Sequence, residues 1–343
     1  MKIALDATYS FGPNLSGVGV YSRRILYGLP ATHPEAEYLF AYRPHRFFRS
    51  FSEALPSNSS RRLLSNAWPL SPDLFHGLNQ RIDSTRYRRT ISTFHDLFVL
   101  TGDYSTPDFR ARFARQAREA AERSDLIIAV SRFTAGQVEN LLKVDRARIR
   151  VVHHGVDHPL EAGLSVERDK TILFVGALQR RKNIMRLVEA FEQVAPGWKL
   201  VLAGASGFAA EEAMQLMEAS PRKSDIQVLG YVPDASLEHL YQRAAIFAFP
   251  SLDEGFGMPV LDAMARGVPV LASAVSAMPE ICGDAALLVD PHDIGAIAGG
   301  LKRLTEDPAI RADLARRGLE RSKEFSWEKA VEGTWQVYQA VLG

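Results

Sequence analysis

The sequence predicts an α/β protein built from two doubly wound parallel sheets. Short apolar runs alternate with amphipathic stretches from end to end, the rhythm of successive βαβ units. The chain has 343 residues, more than one core usually covers, so two domains are expected. A polar stretch rich in turn formers, His158-Pro-Leu-Glu-Ala-Gly, divides two halves that each repeat the rhythm.

In the first half, strands are expected at 2–7, 38–42, 74–76, 90–94, 126–131 and 150–153. Helices are expected at 18–29, 108–123 and 132–142, the last capped by Ser131. In the second half, strands are expected at 172–176, 200–203, 227–229, 246–249, 268–272 and 286–289. Its helices are expected at 183–194, 209–218, 236–243, 258–266 and 294–304. A final amphipathic stretch, 326–342, offers Trp327, Ala330, Trp335 and Tyr338 for packing. The expected domains are 1–158 and 170–325, joined by a linker at 159–169. The helix at 326–343 is expected to pack back on the first domain. Ligands of such sheets bind beyond the carboxyl ends of the strands, so the cleft between the domains is the expected site.

Composition narrows the class. A single cysteine, Cys282, excludes an internal disulfide, and no Cys/His cluster has zinc-site spacing. Met1–Asp6 reads as a strand rather than a leader, and no apolar run approaches ~18 residues. A cytoplasmic protein is expected, peripheral at most to the inner face of the membrane. Residues 1–157 carry 22 Lys and Arg against 15 Asp and Glu, whereas the whole chain is nearly neutral at +1. The basic half is expected to meet an anionic acceptor or membrane surface. Candidate groups are Arg43, Arg46, Arg49, Arg61 and Arg62, then Arg81, Arg86, Arg88 and Arg89, then Arg112, Arg115, Arg118 and Arg123. Nothing in the pattern points to nucleic acid.

The most informative stretch is Phe249 to Val270. Pro250 ends an apolar run, Gly255 and Gly257 bracket Phe256, Pro259 suits a first helical turn, and Gly267 suits a helix stop. Glu254 therefore sits just before a helix N-terminus, where free N–H groups favour anions, and Asp262 about one turn inside. A carboxylate beside an anion site suits a ligand bearing both phosphate and hydroxyls. A second constellation, Phe174-Val-Gly-Ala-Leu-Gln-Arg-Arg181-Lys182-Asn183, runs from a strand through three cations into a helix, which suits a diphosphate. Gly17-Val-Gly19 precedes a helix but lacks the third glycine of a dinucleotide fingerprint. His95 falls at the carboxyl end of an apolar strand. No Asp-x-Asp pair, nucleophile elbow or phosphate loop of the Gly-Lys-Ser/Thr type occurs.

These motifs, with Val130–Phe133, Val151–Asp157, Gly230–Leu240 and Pro279–Asp284, resemble in order the retaining glycosyltransferases of family 4 (group 1). Their GT-B fold is two Rossmann-like domains facing across a cleft, which implies that 1–158 binds the acceptor and 170–325 the nucleotide-sugar donor. The His95-Asp-Leu, Arg181-Lys-Asn and Glu254-Gly-Phe-Gly-Met-Pro patterns resemble the branch that uses GDP-mannose. The resemblance implies that Glu254 opens a Glu-x7-Glu motif and binds the donor sugar's hydroxyls. Asp262 stands at the second acid, usually Glu, which binds ribose. Lys182 is implied to bind diphosphate, with Arg181 or Arg180 replacing an arginine that Ala177 lacks. Gly17 and Gly19 are implied to approach the donor phosphate, His95 the reacting sugar, and the backbone of Gly255, Phe256 and Gly257 to line it.

The implied reaction is hexose transfer, mannose favoured, from GDP-mannose first and a UDP-sugar second, to a saccharide or lipid-linked saccharide in polysaccharide or lipopolysaccharide biosynthesis. Neither metal nor other cofactor is expected, since the cations and helix N-termini would neutralise the leaving phosphate. The resemblance implies same-face substitution, as no carboxylate has the pattern of a double-displacement nucleophile. Two alternatives stand beside it: a nucleotide-sugar 2-epimerase-like isomerase, and a non-catalytic nucleotide-sugar-binding subunit.

Overall fold

The computed structural model describes residues 1–12, 15–65, 70–159 and 168–343; the expected linker lies outside them at 160–167. The chain divides into two units. The first is Met1–Gly102, Thr106–Gly155 and Ser326–Gly343, and the second is Asp103–Ser105 and Val156–Phe325.

The first unit is a seven-stranded parallel sheet. Its strands are β1 (Lys2–Asp6), β2 (Glu37–Tyr42), β3 (Ser59–Leu63), β4 (Leu74–Gly77), β5 (Thr90–Phe94), β6 (Leu126–Ala129) and β7 (Ile149–Val151). Their order is β3-β2-β1-β4-β5-β6-β7, so the winding reverses between β1 and β4. Ile3 pairs with Tyr38 on one side and Leu74 on the other. Central strands of a parallel sheet are covered on both faces, which is why Ile3, Ala4 and Leu5 read as an unbroken apolar run and are fully buried. The helices begin at chemically legible caps. Ser16, Thr106 and Ser131 each accept a backbone N–H of the first turn of Gly17–Thr32, Pro107–Arg123 and Arg132–Leu142. Helix Trp327–Leu342 closes this unit: Trp335 stacks on His33 at 4.0 Å, and Tyr338 is fully buried with its hydroxyl 2.6 Å from His76 Nδ1.

The second unit is a six-stranded parallel sheet of β8 (Asp169–Val175), β9 (Lys199–Ala203), β10 (Ile226–Gly230), β11 (Ala244–Phe249), β12 (Val270–Ser273) and β13 (Ala286–Val289). The order β10-β9-β8-β11-β12-β13 reverses between β8 and β11. Both glycine-marked motifs of this half therefore leave the carboxyl ends of the two strands flanking the switch point, where ligands of open α/β sheets bind. Phe174, Phe247 and Phe249 stack in series at 5.7 and 5.8 Å and are fully buried beneath that edge. Each such side chain stabilises the fold by roughly 1.5–3 kcal/mol relative to exposure.

Several elements depart from the sequence reading, among them the short helices Pro44–Phe47 and Phe98–Thr101, where none is expected. β3 lies where no strand is expected, because Ser-Ser-Arg-Arg-Leu has no apolar alternation and is an edge strand held by pairing to β2. Helix Pro308–Ser322 is also unanticipated, although Asp307 caps it and Pro308 opens its first turn. The short helix Met278–Cys282 is likewise unanticipated. The cations at 180–182 form a 3-10 turn, and the helix proper is Ile184–Phe191.

Candidate active site

In the second unit the chain after β8 tightens into the 3-10 turn Arg180–Lys182 and then into Asn183, whose left-handed backbone (φ 62°) redirects it into the following helix. The Asn183 side chain donates to Pro250 O at 2.9 Å and Pro291 O at 2.7 Å, while Leu252 N donates to Arg181 O at 2.7 Å. These bonds fasten the β8 loop to the β11 loop and set the cations against Glu254.

Lys182 Nζ lies 2.5 Å and Arg181 NH1 2.8 Å from the same oxygen, Glu254 Oε1. Lys182 and Glu254 are each 6% exposed. Arg181 also donates to Asp253 O at 3.0 Å, and the Lys182 ammonium sits 4.5 Å from the centroid of the Phe249 ring. Burial alone would raise the Glu254 pKa; Arg181 and then Lys182 outweigh it and hold the carboxyl below its ordinary value. Glu254 is thus a carboxylate locked between two cations, and its Oε2 makes no hydrogen bond among the described residues. Arg180 points elsewhere, donating to Glu212 on the surface at 2.8 Å. Of the two arginines the sequence left open, Arg181 is the one beside Lys182 and Glu254.

Gly257 begins helix Met258–Ala265 at φ 94°, a left-handed conformation that favours glycine, and a Cβ there would also press on Met278 Cε at 2.3 Å. No side chain caps this helix. Phe256 turns inward, 4% exposed, edge-on to Phe325 at 6.0 Å, so its ring belongs to the core and only its backbone can line a ligand. Gly255 shares its loop. Asp262, on the same helix, lies 3.4 Å from Arg266 NH1, and Arg266 also pairs with Glu238 at 2.7 Å. Burial, then the neighbouring Asp157 and Glu238 charges, raise the Asp262 pKa to about 6 against the opposing pull of Arg266. Its side chain keeps 35% of its surface, so solvent screens part of that shift.

In the first unit His95 follows β5 and is 8% exposed. Its Nε2 lies 2.9 Å from Leu78 O, which places the proton on that nitrogen, and Nδ1 lies 3.3 Å from His154 Nε2. Tyr21 packs against both imidazoles at 4.8 Å. Burial pushes the His95 pKa down to about 4, so it is neutral at physiological pH. A second string, Tyr338–His76–Thr93–Tyr21, runs at 2.6, 2.8 and 3.0 Å beside it. Sequence reasoning did not single out His76, His154 or Tyr21; a signal was available for His154, in the polar His153-His154-Gly run after an expected strand. Gly17 is exposed at the start of its helix. Gly19 is buried, and a Cβ on it would lie 2.9 Å from Tyr9 O, so its smallness lets the loop after β1 cross the helix.

The arginine groups resolve differently from the even basic face expected. Arg61 donates to Ser50 O and Glu53 O, Arg43 to Arg81 O, and Arg123 to Asp83 O and Thr85 O, so these cations tie loops together. Arg112, Arg115 and Arg118 do remain exposed on their helix.

Comparison with known proteins bears on this arrangement. Residues 19–159 match the family model Glycosyltransferase Family 4, and residues 160–321 match Glycosyl transferases group 1. O-antigen chain mannosyltransferase B of Escherichia coli is 32% identical over 282 residues, which cover 78% of this chain and 74% of that protein. D-inositol 3-phosphate glycosyltransferase of Mycolicibacterium smegmatis is 30% identical over 272 residues, covering 74% of this chain and 61% of the relative. Among solved structures, sucrose-phosphate synthase of Thermosynechococcus elongatus matches with TM-score 0.78 at 21% identity over 99% of this chain and 98% of that one. Anabaena HepE in complex with UDP-glucose matches with TM-score 0.75 at 17% identity over 99% and 100%.

Proposed function

The chain belongs to the family 4, group 1 glycosyltransferases and has their GT-B fold, and on that premise we propose that it transfers mannose from GDP-mannose, with retention, to a saccharide or lipid-linked saccharide in polysaccharide or lipopolysaccharide assembly. The observation that carries this reading is the Arg181–Lys182–Glu254 cluster at the switch point of the second unit. Cleaving the anomeric C–O bond of a nucleotide sugar puts negative charge on the leaving diphosphate. Lys182 and Arg181 are preorganised cations in a water-poor site, where they stabilise that charge most effectively. Glu254, fixed by both, presents Oε2 to a sugar hydroxyl, and Asp262 serves the ribose.

In this reading the C–O bond to the acceptor forms on the face from which the diphosphate departs. The acceptor's proton passes to a departing phosphate oxygen. No side chain becomes covalently attached. The uncapped N-terminus of Met258–Ala265 adds partial positive charge. The reaction runs without a metal, its charge-neutralising role falling to the two cations. His95 is a neutral polar group of the first unit, with its single proton committed to Leu78 O.

Mannose is favoured because relatives include O-antigen chain mannosyltransferase B and serotype-specific mannosyltransferase WbdA, both of Escherichia coli. The matched region spans about a third of WbdA, so that relative's whole activity is not carried over. A UDP-sugar is the runner-up, on the UDP-glucose complex of a protein with the same fold. Titration calorimetry with GDP, UDP and ADP, followed by transfer assays with the matching mannose and glucose donors, tests the ranking. GDP should bind tightest and GDP-mannose should turn over; tightest binding by ADP sinks the proposal.

A further inference from the structure

Asp262 is one methylene shorter than the glutamate that the family motif usually carries, so its carboxylate depends more on its surroundings for placement. Arg266, one turn on at the end of helix Met258–Ala265, reaches it. NH1 of Arg266 donates to Asp262 O at 2.9 Å and lies 3.4 Å from Asp262 Oδ1. One guanidinium therefore touches both the backbone and the side chain of the same residue. Residues four apart on a helix share a face, which makes the contact possible.

Arg266 is itself braced. Its Nε donates to Glu238 Oε2 at 2.7 Å, and NH2 lies 2.7 Å from the same oxygen. Glu238 stands on helix Asp234–Arg243, where Gln242 Nε2 donates to its other oxygen at 3.2 Å. The guanidinium also lies over the buried Tyr241 ring, 5.2 Å from its centroid. Arg168 holds the backbone beside it, donating to Arg266 O at 2.7 Å and Gly267 O at 3.1 Å. Only 14% of the Arg266 side chain is exposed, against 35% of the Asp262 side chain. The guanidinium is thus fixed behind a carboxylate that still faces solvent. Asp262 Oδ2 accepts no hydrogen bond among the described residues.

The charges point the same way. Burial raises the Asp262 pKa to about 6; Arg266 opposes the rise, while Asp157 and Glu238 add to it. Arg266 is the cation among these three carboxylates, and without it Asp262 would take up its proton at higher pH. A guanidinium that served only the helix C-terminus would need Asp262 O alone. We propose that Arg266 is a positioning residue for donor binding: braced by Glu238, it holds the Asp262 carboxylate in place for the ribose hydroxyls. The inference rests on the reading that Asp262 serves the ribose, and it names the groups that let the shorter acid do so.

Titration calorimetry on the full chain tests it, with GDP, UDP and inorganic diphosphate as probes and thermal melting as the check on folding. The ribose is common to both nucleotides, so the tighter-binding one reports on it. Arg266→Gln and Glu238→Gln should each weaken that nucleotide at least ~5-fold and leave diphosphate within ~2-fold of wild type. Added to Asp262→Asn, Arg266→Gln should cost less than ~2-fold more, because it acts through that carboxylate. The margin by which wild type outbinds Asp262→Asn should shrink as pH falls through about 6. With Arg266→Gln in both backgrounds, that margin should shrink at higher pH; a role confined to the helix end would not move it. Arg266→Gln that folds and binds nucleotide within ~2-fold of wild type overturns the inference. If that variant does not fold, the same result in Glu238→Gln overturns it. The failures are separable. If Asp262→Asn binds nucleotide as wild type does, the ribose contact falls and this inference with it. If Asp262→Asn weakens binding and Arg266→Gln does not, this inference falls alone. Tighter binding of UDP overturns the preference for GDP and leaves the positioning role standing.

Discussion

Lys182 and Glu254, 72 residues apart in the chain, meet at 2.5 Å where each is 6% exposed. Arg181 shares the same carboxylate oxygen, so the three groups form two cation–carboxylate contacts on one acceptor. Lys182→Ala and Glu254→Ala should each lower turnover by at least ~100-fold, the scale of losing one group that stabilises transition-state charge. Their stabilities should differ. Lys182→Ala leaves Glu254 paired with Arg181, whereas Glu254→Ala leaves two cations facing each other and should cost about 3 kcal/mol or more. Steady-state kinetics and urea unfolding check both. Near-normal turnover of Glu254→Ala refutes the sugar-binding role.

Acid should destabilise the first unit through its histidines. Burial, then the neighbouring His95, pushes His76 down to about 3. Burial pushes His95 to about 4 against the hydrogen bond that its Nε2–H donates to Leu78 O, and burial drives His154 well below 6.5. Between pH 6.5 and the folded-state values, the unfolded chain binds protons that the folded chain refuses. Their contribution is therefore complete above about pH 6.5 and is lost as pH falls, at about 1.4 kcal/mol per pH unit for each histidine. Glu254 does not interfere in this window: its pKa is lowered, so its contribution fades only below the ordinary carboxylate range. Urea midpoints at pH 7, 6 and 5 should fall progressively, and His76→Gln should flatten the slope. An unchanged midpoint from pH 7 to 5 contradicts the assignment of neutral, buried rings.

Chelation should leave transfer intact. No group of three or more His, Cys, Asp or Glu side chains able to hold a metal occurs among the described residues, and Arg181 and Lys182 already supply positive charge where the diphosphate is proposed to bind. Activity that vanishes in EDTA and returns with magnesium or manganese shows the metal-independent reading to be wrong.

Membrane contact should depend on a smaller surface than the arginine count implies. No helix of the described residues is long and apolar enough to cross a membrane. Phe48 and Phe51 are 83% and 61% exposed on the turn Phe48–Ser52, which also carries Arg49. Aromatic rings suit the headgroup layer, and each nearby cation adds ~1 kcal/mol at an anionic surface. Co-sedimentation with anionic vesicles should exceed that with neutral ones, weaken in high salt, and drop in Phe48→Ser/Phe51→Ser. Equal binding to both vesicle types removes the membrane from the account.

The sequence by itself determined what is local. Alternating apolar runs, Ser and Thr caps, and glycine or proline at the turns specified most strands and helices, because those signals act within a few residues. The eight-residue spacing from Glu254 to Asp262 and the strand-to-helix placement of both glycine motifs were legible for the same reason. The Asp307–Pro308 start of helix Pro308–Ser322 is a signal of the same local kind. Only the tertiary structure decided the rest. β3 is a strand because β2 offers its edge, not because Ser-Ser-Arg-Arg-Leu prefers extension. Arg181 rather than Arg180 joins Lys182 because the 3-10 turn points successive side chains in different directions. Arg43, Arg61 and Arg123 are indistinguishable from surface cations in sequence, yet backbone carbonyls from distant loops use their donors. Which charge meets which partner is settled by long-range contacts, and no local pattern encodes them.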